Sequence, residues 1–311
     1  MSAVARVVAG DVRALARAIS VVEDDPGGSA ELLRGVFPHT GRAMVIGVTG
    51  SPGSGKSSLV DRLVASFRDQ GRRVGVVAVD PSSAYSGGAI LGDRVRMQGH
   101  ASDPGVFIRS MASRGHLGGL SRAASDAVDL LDAAGYDPVI LETVGVGQDE
   151  IEVARAADVV CVVLVPGMGD DIQAIKAGIL EIADVFVINK ADRPGADRVA
   201  ADLDAMMALA PAVAARPPIF QTIAIAGDGI PALRDGLVSF VAAAGADRKA
   251  KRRWERAESR FLSVLTDRFV RDVRLTHLPG RRYTDVVTEI AERRLDPYTA
   301  ADQVLLGGKD R

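Results

Sequence analysis

The sequence predicts an α/β fold: a parallel sheet with helices on both faces. Three observations carry that reading. Between residue 42 and about residue 240, apolar runs suited to buried strands alternate with segments of helical spacing, the pattern of strands crossed by helices. A glycine-rich loop of phosphate-binding type joins the first of those strands to the first helix. A second polar motif follows a later strand, at the end where ligands collect in open α/β sheets.

The elements follow in order. Val4, Val8, Val12, Leu15 and Ile19 share one helical face. Glu23 to Ser29 is a break rich in Asp, Pro and Gly, and Leu32, Leu33, Val36 and Phe37 predict a second helix before the core begins. The strands are Val45–Thr49, Val74–Val79, Val106–Ile108, Val139–Glu142, Val159–Val165, Val185–Ile188 and Ile219–Ile225. Beyond the Ala-rich stretch Ala242 to Ala246 the chain changes character. Arg248, Lys249, Lys251, Arg252, Arg253, Arg256 and Arg260 crowd one helix, while Trp254, Ala257, Phe261, Val264 and Leu265 give it an apolar stripe. Such a helix either touches an anionic surface or is a solvated face over a packed stripe. Val286, Val287, Ile290 and Ala291 form another helix before Asp296-Pro297. The expected organisation is a helical extension over residues 1–41, a nucleotide-binding domain over 42–244, and a helical arm over 245–311.

The loop Gly50-Ser51-Pro52-Gly53-Ser54-Gly55-Lys56-Ser57 fits G-x-x-x-x-G-K-[ST] at every specified position. Val45, Ile46 and Val48 precede it as a strand, and Leu59, Val60, Leu63, Val64 and Phe67 follow at helical spacing. That context is what the mechanism needs. Glycines let several backbone N–H groups converge on one anion, and the helix N-terminus adds about half a positive charge. Lys56 is expected on the β- and γ-phosphates and the Ser57 hydroxyl on Mg²⁺.

Val185 to Ile188 lead into Asn189-Lys190-Ala191-Asp192. A carboxylate at Asp192 can accept from guanine N1–H and the exocyclic amine. Adenine lacks that donor pair and would leave the carboxylate unpaired. The motif therefore predicts GTP over ATP. Gln221-Thr222-Ile223-Ala224 lies where a third base-contact segment is expected, but the match is imperfect and no residue is assigned from it.

Asp80 ends the second strand, and Gly87 to Arg94, which holds Asp93, is a Gly-rich stretch suited to a switch. Glu142 ends another strand, with Thr143-Val144-Gly145-Val146-Gly147-Gln148 after it. Carboxylates beside a triphosphate can hold Mg²⁺ or orient the attacking water; each one singly could also be a helix cap or a loop solvator.

Composition narrows the setting. The chain has 311 residues, 47% hydrophobic and 25% charged, with net charge −2. These are values of an ordinary globular protein, with no global pull toward nucleic acid or membrane. Cys161, the single cysteine, lies in an apolar run and reads as a small buried hydrophobe. No internal disulfide can form, which fits a reducing cytoplasm. No apolar run reaches the ~18 residues of a membrane span, and the N-terminus lacks a secretion signal's apolar core. His39, His100, His116 and His277 are scattered without ligand spacing.

These residues, in this order, resemble the MeaB/ArgK family of P-loop GTPases. The matching stretches are Val48 to Ser58, Val79 to Met97, Glu142 to Glu150, Leu164 to Ala177, Val187 to Asp192 and Asp296 to Ala301. The resemblance implies a P-loop NTPase sheet of SIMIBI type with a C-terminal helical dimerisation arm, and GTP/GDP and Mg²⁺ as ligands. It implies a homodimer that acts as chaperone to an adenosylcobalamin-dependent methylmalonyl-CoA mutase or related acyl-CoA mutase, gating cofactor loading, protection and reactivation. On this reading Gly50 to Ser58, Asn189, Lys190 and Asp192 bind nucleotide. Ser57, Asp80, Asp93 and Glu142 surround the metal, and Lys56, Asp93 and Glu142 serve hydrolysis. Gly169 to Lys176 corresponds to the family's extra switch; its alternative reading is a polar helix start. Intrinsic hydrolysis is expected to be slow and partner-stimulated. No arginine finger is assigned; Arg94, Arg96, Arg109 and Arg114 are unranked candidates. The rivals are a small-molecule or protein kinase, a metallochaperone GTPase for another metalloenzyme, and a GTP-gated scaffold.

Overall fold

The structure is a computed structural model, and it describes residues 1–24, 28–80, 97–100, 102–112, 122–143, 149–167, 182–209 and 216–306. The chain divides into two compact units, Met1–Arg252 and Arg253–Arg311.

The first unit is built on a seven-stranded parallel sheet. Its strands are β1 (Val45–Gly50), β2 (Val74–Asp80), β3 (Val106–Ala112), β4 (Val139–Thr143), β5 (Val159–Leu164), β6 (Val185–Asn189) and β7 (Ile219–Thr222). Their spatial order is β3-β2-β4-β1-β5-β6-β7, which puts β1 at the centre. Both faces are covered, so the central strands are apolar on both sides and read as continuous Val/Ile runs.

One face carries α4 (Lys56–Arg68) and α8 (Ile230–Ala243). There Leu59, Leu63 and Phe67 meet Ile46, Val48, Ile140, Val163 and Leu233. The other face carries α2 (Val12–Asp24), α5 (Arg122–Ala133), α6 (Asp149–Ala156) and α7 (Ala196–Leu209). Here Leu15, Ile19, Leu130, Val153 and Leu203 meet Val45, Val139, Leu141 and Phe186. The switch of face from Val45 to Ile46, and again from Val139 to Ile140, is the period-2 alternation of a strand.

Seven strands were predicted and seven are found, with shifted ends. β3 runs on to Ala112. β7 stops at Thr222 because Ile223 N turns away to donate to Asp228 O. The predicted single N-terminal helical face is corrected: it is broken between α1 (Ala3–Val8) and α2. Gly10 adopts φ +77°, and the Asp11 carboxylate caps α2, accepting from Arg13 N at 2.9 Å and Ala14 N at 3.0 Å. Those bonds, with Arg6 beside it, hold the Asp11 carboxyl below its ordinary range. Val12 is left exposed, while Val7, Leu15, Ile19 and Val22 are buried. The second predicted helix, α3 (Ser29–Val36), ends before the exposed Phe37.

The entry to β1 is held by carboxylates. Asp132 accepts from the N–H groups of Gly41, Arg42 and Ala43. Asp137 accepts from Met44 N, and Asp158 from Val45 N, each at 2.9 Å. Successive donors from Gly41 to Val45 thus have acidic partners before sheet pairing takes over.

The basic helix is longer than predicted: α9 runs from Ala246 to Thr276. Its first turns do not present a free cationic patch. Arg248 donates to Asp184 Oδ1 at 3.0 Å and lies 4.6 Å over the Phe240 ring. Arg252 donates to the same carboxylate and to Asp158 O. In the second unit α9 is followed by α10 (Arg282–Ala291) and α11 (Pro297–Leu306). Asp296 caps α11, accepting from Tyr298 N and Thr299 N at 3.0 Å. In the single chain Trp254, Phe261 and Leu265 of the expected stripe, and Phe269 beyond it, are exposed. Among the described residues no helix is long and apolar enough to cross a membrane.

Candidate nucleotide-binding site

The site lies at the C-terminal ends of β1, β4, β6 and β7, outside the sheet. β1 ends in Gly50 at φ +136°, where a Cβ would stand 2.2 Å from Val163 O on β5. Only glycine lets the loop leave the strand so close to its neighbour. Gly53 and Gly55 also take positive φ, +78° and +88°. The chain then enters α4 at Lys56, so the loop joins strand to helix as the sequence predicts.

Lys56 is nearly buried, and its ammonium arches back over the loop, donating to Gly50 O at 2.6 Å and Ser51 O at 2.9 Å. The next residue, Ser57, donates from Oγ to Glu142 Oε1 at 2.7 Å. Glu142, at the end of β4, is 3% exposed. The predicted hydroxyl and one predicted carboxylate are therefore in contact across 85 residues of chain. Pro52 is exposed, and Ser51 and Ser58 are half-buried. Ser54 is fully buried.

Asn189, at the end of β6, joins three segments. Its Nδ2 donates to Ser54 O at 2.9 Å. Its Oδ1 accepts from Thr222 Oγ1 at 3.2 Å and from Ala224 N at 3.1 Å. Lys190, held at φ +56°, donates to Gly53 O at 2.7 Å. Ala191 N donates to Thr222 O at 3.1 Å, and Asp192 stands exposed on the turn that follows. Thr222 and Ala224 are the residues that sequence reasoning left unassigned. Their role depends on where β7 lies beside β6, which no local pattern states. The exposed Ile225 follows, its carbonyl held by Arg62 of α4 at 3.0 Å.

Of the other predicted residues, Asp80 is the last position of β2, beside Ala112 in register. Asp93, the segment 144–148, the stretch Gly169 to Lys176, and Arg94, Arg96, Arg114 and His116 lie outside the described residues. Arg109 is removed from the arginine-finger candidates: its guanidinium pairs with Glu23 and donates to Ser20 Oγ, tying α2 to β3. His100 contacts Asp61 of α4 at 3.2 Å. Cys161 is fully buried, and burial together with Asp184 pushes its thiol pKa up, so it behaves as the predicted hydrophobe. Among the described residues no group of His, Cys, Asp and Glu is placed to hold a metal by itself.

Geometry makes Gly55 a sensitive position. A Cβ there would lie 2.5 Å from Asn189 Nδ2 on a backbone at φ +88°. Gly55→Ala is expected to weaken GTP binding about 10- to 100-fold, the equivalent of strain of about 1–3 kcal/mol. Titration calorimetry with GTP checks this, and an unchanged Kd would mean the loop has room the structure denies it.

The chain has relatives among known proteins. Residues 15–277 match the family described as methylmalonyl Co-A mutase-associated GTPase MeaB. A Pyrococcus abyssi protein named for an inferred GTPase activity is 44% identical over 307 residues, covering 96% of this chain and 94% of its own. GTPase ArgK of Escherichia coli is 46% identical over 191 residues, 60% of this chain and 58% of its own. A solved LAO/AO transport system kinase superposes with a TM-score of 0.71 at 27% identity, over 99% of this chain and 96% of the other.

Proposed function

The chain belongs to the MeaB family of methylmalonyl-CoA mutase-associated GTPases and is itself a GTPase, and from that membership we propose that it couples GTP hydrolysis to loading and protecting the cofactor of an adenosylcobalamin-dependent acyl-CoA mutase. The observation that carries the nucleotide half is the Asn189 amide, which bonds the phosphate loop at Ser54 O and the base-side segment at Ala224 N. The mutase half rests on the family description. A Caenorhabditis elegans protein named methylmalonic aciduria type A homolog adds support, being 45% identical over 148 residues, 47% of this chain and 37% of its own.

The proposed chemistry is mostly positioning and charge, as phosphoryl transfer requires. The N–H groups of Gly53 to Ser57 and the α4 N-terminus receive the phosphates. Lys56, now donating to Gly50 O and Ser51 O, is aimed at the β- and γ-oxygens. The Ser57 hydroxyl and Glu142 carboxylate are oxygen donors of the kind a hard divalent cation takes, and they already touch. We assign them, with Asp80 and Asp93, to Mg²⁺ and the attacking water. When bound, Mg²⁺ would supply charge neutralisation at the phosphates. Asp192, exposed beside the Asn189 joint, is assigned to guanine N1–H and the exocyclic amine. The stretches Gly87–Arg94, Thr143–Gln148 and Gly169–Lys176 are the proposed switches. Order and release of such segments by the γ-phosphate is how GTPases signal.

The exposed Trp254, Phe261, Leu265 and Phe269 on α9 are the proposed contact between two copies of the chain, since apolar patches of this kind mark interaction sites. A reducing cytoplasm suits the lone buried thiol of Cys161. The kinase rival is disfavoured by a carboxylate at Asp192 that ATP would leave unpaired.

The test is GTP turnover by the purified chain with and without an adenosylcobalamin-dependent acyl-CoA mutase from the same source. We expect slow turnover that rises severalfold or more with the mutase. Turnover indifferent to every such mutase would overturn the chaperone reading.

A further inference from the structure

One step beyond the last rung shared by β1 and β4 lies a contact that the scheme above does not use. Val48 pairs with Glu142 in register, so Thr49 and Thr143 lie one step further along. Successive side chains alternate between faces. Glu142 therefore projects to the α4 face, where Ser57 meets it at 2.7 Å. Thr49 and Thr143 project to the opposite face, that of Val45, Val139 and Leu141. Both threonines are sealed from solvent, at 0% and 1% exposure. Thr143 Oγ1 donates to Thr49 Oγ1 at 3.2 Å.

Packing alone does not call for these hydroxyls. Two valines would fill the same space, suit a strand as well and need no polar partner. What the hydroxyls add is direction: a hydrogen bond restricts both χ1 angles and ties one strand end to the other. The tie falls at a consequential place. Thr49 is followed directly by Gly50, where the phosphate loop begins, and Thr143 follows directly on Glu142. The end of β4 is thus gripped on one face by Ser57–Glu142 and on the other by Thr143–Thr49.

We infer that the Thr49–Thr143 hydrogen bond is a positioning element for GTP hydrolysis, fixing the strand end that aims Glu142 at Ser57. It lies on the sheet face opposite Ser57 and acts through Glu142.

Small misplacements at a distance from the chemistry reduce rates markedly, so Thr143→Val is expected to lower kcat for GTP about 10-fold. KM and the Kd for GTP should move by less than about 2-fold, because the phosphate loop and Asn189 are untouched. Thr49→Val should do the same, and the double variant should be no worse than either single one, the mark of a shared interaction. Thr143→Ser keeps the hydroxyl and should restore most of kcat. Steady-state kinetics and thermal melting of the four variants and the wild type decide the matter. Unchanged kcat in Thr143→Val overturns the inference. So does a loss that Thr143→Ser fails to restore, or one matched by a rise in KM and a fall in melting temperature. Should a single valine variant not fold, the double variant replaces both partners with isosteres and should fold like the wild type. Full kcat in that double variant would overturn the inference, and a reduced kcat at unchanged melting temperature would support it.

Discussion

Lys56→Ala is expected to lower GTP turnover about 10²- to 10³-fold, the loss seen when one donor is removed from developing transition-state charge. The reason is the place of the ammonium rather than its charge alone. Lys56 is 6% exposed, and its Nζ donates to Gly50 O at 2.6 Å and Ser51 O at 2.9 Å. A cation held there is shielded from water, so its attraction for phosphate oxygens is stronger than that of a surface lysine. It is also preorganised, because the carbonyls keep it over the loop before substrate arrives. Single-turnover hydrolysis with excess enzyme separates this loss from weakened binding. Turnover within about 5-fold of wild type would remove Lys56 from the catalytic assignment, given that one such donor is worth far more.

Asp132→Ala should be the most damaging single change to stability outside the apolar core. The carboxylate collects the N–H groups of Gly41, Arg42 and Ala43 just before β1. Removing it leaves those donors to partial rescue by water, at about 1–3 kcal/mol for each donor left unsatisfied. The residues around the donors are partly exposed, so the full sum is not reached. We expect about 2–4 kcal/mol, a large share of the roughly 5–15 kcal/mol that holds a typical domain. Asp132→Asn keeps an acceptor oxygen and should lose roughly half as much. Urea unfolding followed by circular dichroism measures both. A wild-type midpoint for Asp132→Ala would mean that the strand entry holds itself.

The two predictions differ in how far the sequence foretold them. The place of Lys56 at the start of α4 was legible because its signal is local: the loop, the preceding strand and the following helix lie within about twenty residues of one another. The strands were legible for a similar reason, since a parallel sheet covered on both faces writes itself as short apolar runs. Glu142 was legible as a carboxylate at a strand end, and its contact with Ser57 followed from β1 and β4 being neighbours. Asp132 was not legible. Its partners lie 89 to 91 residues away, and nothing around Leu131-Asp132-Ala133 distinguishes a strand-entry clamp from an ordinary helix-end acid. Thr222 and Ala224 escaped for the same cause, because their bonds to Asn189 exist only once β7 lies against β6. The break between α1 and α2 is a different kind of miss. Gly10-Asp11 is a local stop-and-cap signal, but the apolar spacing runs across it as if the helix were continuous.

One feature of the site reaches beyond the binding of any single group. The Asn189 side chain commits its oxygen to the base-side segment and its nitrogen to the phosphate loop. On the proposed assignment the two halves of the nucleotide would be read by parts that share a joint, and such linkage is reciprocal: whatever free energy one ligand fragment contributes at the other's site is matched in the opposite direction. Guanosine without phosphates and triphosphate without guanine should each bind more weakly than independent subsites would allow. In a cell crowded with ATP, that proposed arrangement would turn recognition of the base into a condition on the grip of the phosphates, so that discrimination would be exercised by the whole pocket acting as one cooperative unit.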